Sequence, residues 1–250
     1  MPGLAEALLE LQQLTERLRR DCPWDREQTA RTIVPHTVEE AYEVADAALA
    51  EDDAKLLDEL GDLLFQVVFL ALTLQEKDKG DLEAVTRNVH AKLVRRHPHV
   101  FGDVVADSSG AVRRNWEKIK REQEGREGVF HDVAEALPAL LYARKLQQRA
   151  RAVGFEYPDV QGALADLDDE VRELKEDLDP SELGDVLFAA VNVARKLDVD
   201  PELELRLAAR RFRDRVTTAE ALAAARGENW SELPLDQQDR YFDLAKETTR

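Results

Sequence analysis

The chain has 250 residues, of which 44% are hydrophobic and 35% charged, and its formal net charge is −17. This length allows one or two domains with a sizeable core, and the composition, low in glycine and proline, is typical of a soluble, mostly helical protein. The negative charge argues against binding to a nucleic acid polymer, which requires a basic surface. It does not exclude a free nucleotide whose charge a metal ion offsets.

The first 20 residues have the pattern of an amphipathic helix with charges throughout, which does not resemble a signal peptide. The longest apolar stretch, Leu63–Leu74, is too short to span a bilayer. Cys22 is the only cysteine, so an intrachain disulfide is excluded and a reducing compartment is indicated. We therefore expect a cytoplasmic protein with no membrane partner.

Helical periodicity runs through Leu4–Arg20 and stops at Pro23. A loop over residues 32–37 is predicted to lead into an acidic helix, with Thr37 as its N-cap and Glu40 three residues later in a capping-box pattern. The next two predicted helices span Asp53–Lys77 and Asp81–Arg96.

Two pairs of carboxylates with i,i+3 spacing lie on the acidic helix after Thr37 and on the helix predicted at Asp53–Lys77. The four residues are Glu40, Glu43, Glu59 and Asp62. On the second helix, leucines and valines form a broad arc and Phe65 and Phe69 lie on the other flank, so Glu59, Asp62 and Gln66 share a narrow polar stripe. Acids in an apolar environment repel one another unless a cation neutralises them, which indicates a divalent metal site.

The same arrangement occurs a second time. "ELGDVLFAAVNVAR" at Glu182–Arg195 repeats "ELGDLLFQVVFLAL" at Glu59–Leu72, and "DDEVREL" at Asp168–Leu174 resembles "VEEAYEV" at Val38–Val44. The second quartet consists of Glu170, Glu173, Glu182 and Asp185. A single ExxE is common on a solvated helix, but a repeat of this length predicts two copies of one structural unit.

The charged, glycine-containing segment 125–132 is the predicted linker, between a first domain at 1–124 and a second at 133–250. The second copy has about seven fewer residues between its acid pairs, which is close to two helical turns. A deletion of that size keeps the acids in phase. It predicts a shorter hairpin closed around Asp179 and Pro180.

These residues resemble the MazG family of nucleoside triphosphate pyrophosphohydrolases, in its tandem two-domain form. The motifs that carry the resemblance are "CPWDREQT" at Cys22–Thr29, EExxE at Glu39–Glu43, ExxD at Glu59–Asp62, "RRHPHVF" at Arg95–Phe101 and "WEKIK" at Trp116–Lys120. The resemblance implies an all-α fold of two helical bundles that dimerise. It also implies Mg²⁺, with Mn²⁺ as a possible substitute, held by the acids, and conversion of a nucleoside triphosphate and water to the monophosphate and pyrophosphate.

The resemblance also implies roles for single residues. Glu39 is the expected catalytic residue, as a base or as a group beside the metal ligands, although a solvated Glu39 fits the pattern equally well. The expected substrate-binding residues of the first copy are Trp24, Lys92, Arg95, Arg96, Trp116 and Lys120. Those of the second copy are Phe155, Arg211, Arg215, Phe242 and Lys246. When the two copies are compared, Phe155 corresponds to Trp24. Each cation can also be read as a surface charge, and each aromatic residue as core.

Two alternatives stay open from the sequence. The enzyme can act on a narrow set of non-standard or deoxy nucleotides in a house-cleaning role, since every motif would be the same. The chain can instead be a helical interaction module, with one or both catalytic sites lost, whose acidic helices bind a basic partner. The sequence does not distinguish the preferred base or sugar, nor which copy is active.

Overall fold

The chain folds into two compact units, residues 1–116 and 117–250. We describe them from a computed structural model covering residues 2–108, 110–112, 115, 116, 119, 128–131 and 133–248. Every regular element within these ranges is helical, which confirms the predicted all-α class. None of the helices in these ranges is long and apolar enough to cross a membrane. Residues 125–127 and 132 of the predicted linker lie outside the described ranges, so the linker and its flanking boundaries stay predictions.

Six helices precede residue 102 in the first unit. They are α1 (Pro2–Asp21), α2 (Pro23–Glu27), α3 (Ala30–Leu49), α4 (Asp53–Gln75), α5 (Leu82–Arg96) and α6 (Pro98–Phe101). Residues 110–112, 115 and 116 are also helical. The hairpin of α3 and α4 forms the main packing contact of the unit, and α1 lies against α4. This hairpin places the two predicted acid pairs on facing helices.

The described part of the second unit repeats this plan. Its helices are α7 (Ala139–Ala152), α8 (Val160–Glu176), α9 (Pro180–Lys196), α10 (Pro201–Ala224) and α11 (Leu235–Thr248), with a short 3₁₀ helix at Trp230–Glu232. Helix α8 packs along α9, α7 lies against α9, and α10 packs along α11. The second acid pairs therefore also lie on a helical hairpin.

Helix α3 begins eight residues earlier than the sequence predicts. Thr29 is its N-cap, and the side chains of Thr29 and Thr32 each accept a hydrogen bond from the other residue's backbone N–H. Thr37 lies inside the helix, where its hydroxyl donates to the carbonyl of Ile33 at 3.3 Å. The predicted cap at Thr37 is therefore wrong, because the reciprocal pair at Thr29 already satisfies the exposed donors of the first turn.

The two hairpins differ in length by about one turn on each side. Six residues of α3 follow Glu43, whereas three residues of α8 follow Glu173. Six residues of α4 precede Glu59, whereas two residues of α9 precede Glu182. The missing seven residues are thus shared between both helices, and both connecting loops contain three residues. One turn removed from each helix keeps both acid faces directed at each other.

The core of the first unit lies between α3 and α4, with Ile33, Val68 and Phe69 almost fully buried. The rings of Phe65 and Phe69 pack edge to face, 5.9 Å apart. Much of the predicted apolar arc of α4 is nevertheless exposed in the single chain. The exposed members are Leu57, Leu60, Leu64 and Val67. Of the two carboxylates predicted to point into an apolar environment, Glu59 is buried, whereas Asp62 is exposed in the single chain, so the prediction is wrong for Asp62.

Candidate metal centre

Helices α3 and α4 bring three acids of the first quartet together. One carboxylate oxygen from each of Glu40, Glu43 and Glu59 lies within 4.8 Å of the other two. The i,i+3 spacing puts Glu40 and Glu43 on one face of α3, and the hairpin presents Glu59 from α4. Three converging carboxylates form an oxygen-rich cluster that can hold a hard divalent cation.

The first cluster has more negative charge than its surroundings balance. Burial raises the pKa of Glu59, and its hydrogen bond to Glu43 and the charge of Glu43 raise it further. Burial also raises the pKa of Glu40, as do the charges of Asp62, Glu43 and Glu59. Lys55 offsets part of this charge, since its Nζ lies 3.6 Å from Glu59 Oε1. Such crowding is the electrostatic condition that a bound cation relieves.

Asp62 and Glu39 lie beside this cluster rather than inside it. Asp62 is exposed and is not among the three mutually close acids, but its charge acts on Glu40. The side chain of Glu39 is exposed, and its Oε2 lies 3.8 Å from Nδ1 of His36. Lys55, Glu59 and Asp62 line an open groove of about 640 Å³ over the first turns of α4. The groove gives solvent and small ligands access to the acids.

The second unit repeats the cluster on its shorter hairpin. Oxygens of Glu170, Glu173 and Glu182 lie within 4.8 Å of one another. Burial raises the pKa of Glu170 and of Glu182, and for both residues the charges of Glu173 and Asp185 raise it further. Asp185 is exposed and lies outside the closest trio, as Asp62 does in the first unit. Both units therefore share one arrangement: three close acids and a fourth beside them.

The cations and aromatic residues predicted for the first copy have varied environments. Arg96 is buried and its guanidinium lies over the ring of Trp116, 5.2 Å from the centroid. The rings of Trp116 and His97 are in edge contact at 5.0 Å. Trp24 is half exposed, and its ring contacts the ring of His36. Lys92 is partly buried and Arg95 is exposed. Lys120 lies outside the described residues.

In the second copy, Phe242 and Lys246 lie together, with Nζ of Lys246 5.0 Å from the ring centroid. Phe242 also packs against Phe212, with 5.8 Å between centroids. Arg211 is exposed, whereas Arg215 is partly buried. The Nε of Arg215 is buried and has no hydrogen-bond partner within the described residues.

Phe155, the predicted counterpart of Trp24, does not occupy an equivalent environment. Its side chain is 83% exposed, and its ring makes no aromatic or cation-π contact within the described ranges. The structure instead places Tyr157 against α8, through a hydrogen bond from its hydroxyl to Asp166. Three residues near the clusters are not predicted from the sequence: Tyr157, His36 and Lys55. Only the last two carry a local signal, since each lies one turn before an acid on its own helix.

Comparison with known proteins identifies the family of the chain. A family model described as the MazG nucleotide pyrophosphohydrolase domain matches residues 28–101, which include the whole α3–α4 hairpin. The nucleoside triphosphate pyrophosphohydrolase/pyrophosphatase MazG of Thermotoga maritima is 40% identical over 245 residues, which cover 95% of this chain and 94% of that protein. The nucleoside triphosphate pyrophosphohydrolase of Escherichia coli K12 is 38% identical over 253 residues, with 96% of each chain covered.

A crystal structure of a MazG-related protein from Thermotoga maritima also aligns with part of the chain. The alignment has 31% sequence identity and a TM-score of 0.40, and it covers 47% of this chain and 99% of the other. The full-length similarity to the two named enzymes extends across both acid clusters. The chain therefore belongs to the MazG family of nucleotide pyrophosphohydrolases.

Proposed function

We propose that the protein hydrolyses nucleoside triphosphates to the nucleoside monophosphate and pyrophosphate in a Mg²⁺-dependent reaction, at one centre in each unit. The observation that carries this proposal is the acid cluster that recurs on two hairpins, with oxygens within 4.8 Å of one another in each. The reaction follows from membership of a family whose related enzymes are named nucleoside triphosphate pyrophosphohydrolases. The single cysteine is the basis for a cytoplasmic location, which stays a prediction.

The acids fit a magnesium ion by their chemistry. Mg²⁺ prefers oxygen ligands and is usually bound by a few carboxylates together with substrate phosphates. Glu40, Glu43 and Glu59, with Asp62 beside them, would hold it in the first unit. The matching set of the second unit is Glu170, Glu173, Glu182 and Asp185. When bound, the ion neutralises phosphate charge and makes water a better nucleophile at neutral pH.

The surrounding side chains would bind and orient the nucleotide. The predicted cations would bind phosphate oxygens through charged hydrogen bonds, which would hold the triphosphate for in-line attack at the α-phosphorus. In the first unit these are Lys92, Arg95, Arg96 and Lys120, and in the second Arg211, Arg215 and Lys246. Trp24, Trp116 and Phe242 offer ring faces to the base, and the sequence assigns Phe155 the same role. Glu39, which directly precedes Glu40 on α3, would accept a proton from the attacking water or orient that water.

Isotope labelling tests the bond that is cleaved. Hydrolysis in ¹⁸O-labelled water with Mg²⁺ should place the label in the monophosphate, because water attacks the α-phosphorus, and should release unlabelled pyrophosphate. A panel of standard, deoxy and modified triphosphates in the same assay separates a broad activity from a house-cleaning role. Release of orthophosphate as the first product would contradict the proposal, and so would the absence of hydrolysis of every triphosphate in the panel.

Metal affinity should fall as the pH is lowered. The pKa values of Glu40, Glu59, Glu170 and Glu182 are raised above the usual 4.5, first by burial and then by their acidic neighbours. Above those raised pKa values the ionised acids repel one another and lower the stability of the metal-free fold, and this penalty is relieved as the pH falls through them. A metal must displace the same protons, so its binding is coupled to proton release.

Calorimetry of Mn²⁺ binding in two buffers with different ionisation enthalpies measures that proton release. We expect release that grows as the pH approaches the raised pKa values from above, together with weaker binding. The double variant Glu59→Gln with Glu182→Gln should release fewer protons per ion. Binding that is independent of both pH and buffer would contradict this linkage.

We also propose that the protein is a dimer. Four large apolar side chains of α4 share one face and are exposed in the single chain, with Leu57 at 76%. A face of this kind is normally covered by another protein surface, and the family resemblance supports a second copy of the chain. The double variant Leu64→Glu with Val67→Glu should therefore shift the protein to a 28.3 kDa monomer in light-scattering chromatography. Leu235→Glu, at an exposed position of α11, is the control. An unchanged chain that is already an active monomer would contradict the dimer.

A further inference from the structure

The acidic helices α3 and α8 have the same residue spacing from their N-caps, and this match includes positions other than the metal ligands. In α3, His36 lies seven residues after the N-cap Thr29 and Glu40 lies eleven residues after it. In α8, Asp166 and Glu170 lie at the same distances from the N-cap Asp159. His36 and Asp166 thus occupy equivalent positions, one helical turn before the first acid of each cluster.

In both units this position contacts an aromatic residue from the segment before the helix. The ring of Trp24 lies 5.9 Å from the ring of His36, in an edge-on arrangement. The hydroxyl of Tyr157 donates to Oδ1 of Asp166 at 2.7 Å. Both aromatic side chains stay accessible, with Trp24 53% and Tyr157 39% exposed. Each unit therefore places an exposed aromatic ring against the residue that lies one turn before the first acid of its cluster.

Tyr157 is held by several contacts besides its hydroxyl. Its ring lies so close to the first turn of α8 that a Cβ on Gly162 would be 3.2 Å from both Cβ and Cδ1 of Tyr157. Its backbone carbonyl accepts a hydrogen bond from Nζ of Lys196. Its neighbour Glu156 binds Arg195 on α9 through two hydrogen bonds of 2.7 and 2.8 Å. The side chain of Tyr157 thus lies against α8, while its backbone carbonyl and the neighbouring Glu156 bind α9. Phe155, in contrast, is exposed.

The ring also lies within electrostatic reach of the acid cluster. The pKa of Tyr157 is raised first by its hydrogen bond to Asp166, and the charges of Glu170 and Asp169 contribute to the same shift. Asp166 and Glu170 are four residues apart, which is about 6 Å along a helix. A nucleotide whose phosphates meet the acids at Glu170 extends its base over a distance of this order.

We propose that Tyr157 is a base-stacking residue of the second centre, in addition to Phe242, and takes the place that Trp24 occupies in the first. This inference rests on the proposed function. It assigns the second centre a ligand with an aromatic base, bound through its phosphates at the acids and through its base against the tyrosine ring. Flat aromatic faces bind every base, and purines, with their larger ring systems, gain more from stacking than pyrimidines do. The side chain of Phe155 then has no stacking role.

The test is made in the full-length chain with the first centre silenced by Glu59→Gln and Asp62→Asn. Tyr157→Ala should raise KM for purine triphosphates about 10-fold with a smaller change in kcat, the size expected for one lost stacking contact. Tyr157→Trp should restore KM. Inhibition by inorganic tripolyphosphate, which has no base, should be the same in Tyr157→Ala and Tyr157→Trp as in the parent. Phe130→Ala, which removes another exposed aromatic residue of this unit, is the control.

Binding of a non-hydrolysable triphosphate, measured by calorimetry with Mg²⁺, separates the two levels of the proposal. If the silenced parent binds nucleotide but releases no pyrophosphate, the catalytic function of the second centre fails while stacking is still measured as an affinity. Equal KM and equal affinity in the parent and Tyr157→Ala would overturn the role of Tyr157. The role of Tyr157 would also be overturned if Phe155→Ala raised KM and lowered nucleotide affinity while Tyr157→Ala did not. Weaker inhibition by tripolyphosphate in Tyr157→Ala, or no nucleotide binding by the parent, would overturn it as well.

Discussion

Replacement of Glu59 by glutamine is expected to lower turnover at the first centre by more than about 100-fold, since even groups outside a metal's ligand set typically cost about 10- to 100-fold. Glu59 is the buried member of its cluster and lies within 4.8 Å of Glu40 and Glu43. Glutamine keeps the size of the side chain but removes the anionic oxygen. The metal therefore loses a charged ligand while the packing of α4 is preserved.

The metal-free variant should unfold at the same temperature as the parent or at a higher one. The pKa of Glu59 is raised by burial and by Glu43, so its ionised form costs stability at neutral pH, and glutamine removes that cost. Pyrophosphate release in a Glu182→Gln background isolates the first centre, and thermal unfolding without metal reports the fold. Glu83→Gln, at an exposed position of α5, is the control. A variant that unfolds without metal but keeps the parent's metal response would identify Glu59 as a structural residue.

Replacement of Glu156 by alanine is expected to destabilise the second unit by about 3 kcal/mol, near the range for loss of one partner from a buried ion pair. The carboxylate receives two hydrogen bonds from Arg195, whose side chain is only 6% exposed. Lys196 lies 2.8 Å from Glu156, and Arg151 lies 3.4 Å away. Alanine would leave the guanidinium of Arg195 buried without its counter-charge. It would also remove the side-chain contact of Glu156 with α9, although the hydrogen bond from Lys196 to the Tyr157 carbonyl would remain.

The ion pairs of Glu156 also make the stability of the second unit depend on pH in the acid range. The hydrogen bonds from Arg195, followed by those from Lys196, lower the pKa of Glu156 from 4.5 to about 2. A lowered pKa stabilises the fold fully above pH 4.5, and this contribution is lost as the pH falls from 4.5 towards 2.

Hydrogen exchange of residues 139–196 in the intact chain, followed by mass spectrometry, should show reduced protection in the parent as the pH falls from 4.5 towards 2. Glu156→Ala should be less protected at neutral pH and lack this acid transition. The first unit provides an internal reference. Asp236→Ala, which removes an exposed pair with Arg240, should change protection by less than about 1 kcal/mol. Protection in Glu156→Ala equal to that of the parent would show that the ion pair contributes nothing.

The sequence predicts the helices and the acid clusters well because both follow from local spacing. Helix α4 is predicted at Asp53–Lys77 and observed at Asp53–Gln75, and the i,i+3 acids fall on one helical face in each copy. The start of α3 is mispredicted because two threonine caps compete. Pro35 lies inside the observed helix, and the reciprocal bonds of Thr29 and Thr32 stabilise the earlier start.

Features that depend on contacts between distant residues are not predictable from spacing. The exposure of Asp62 and of the apolar face of α4 depends on what packs against the hairpin, which helical periodicity does not specify. The equivalence of Trp24 and Tyr157 is hidden because the segments between each aromatic residue and its N-cap differ in length. The offset between the two copies in the sequence pairs Trp24 with Phe155, whereas the side-chain contacts pair it with Tyr157.

Titration with Mn²⁺ by calorimetry is the most direct test of two metal-dependent centres. The proteins are the unchanged chain, Glu59→Gln with Asp62→Asn, Glu182→Gln with Asp185→Asn, and the combination of all four changes. We expect two binding sites in the unchanged chain, one in each double variant and none in the combination, with pyrophosphate release falling in step. If Glu182→Gln with Asp185→Asn binds Mn²⁺ and hydrolyses nucleotide as the unchanged chain does, the second site is vestigial. Unchanged Mn²⁺ binding and pyrophosphate release in the combined variant would show that the acid clusters are not the metal centres.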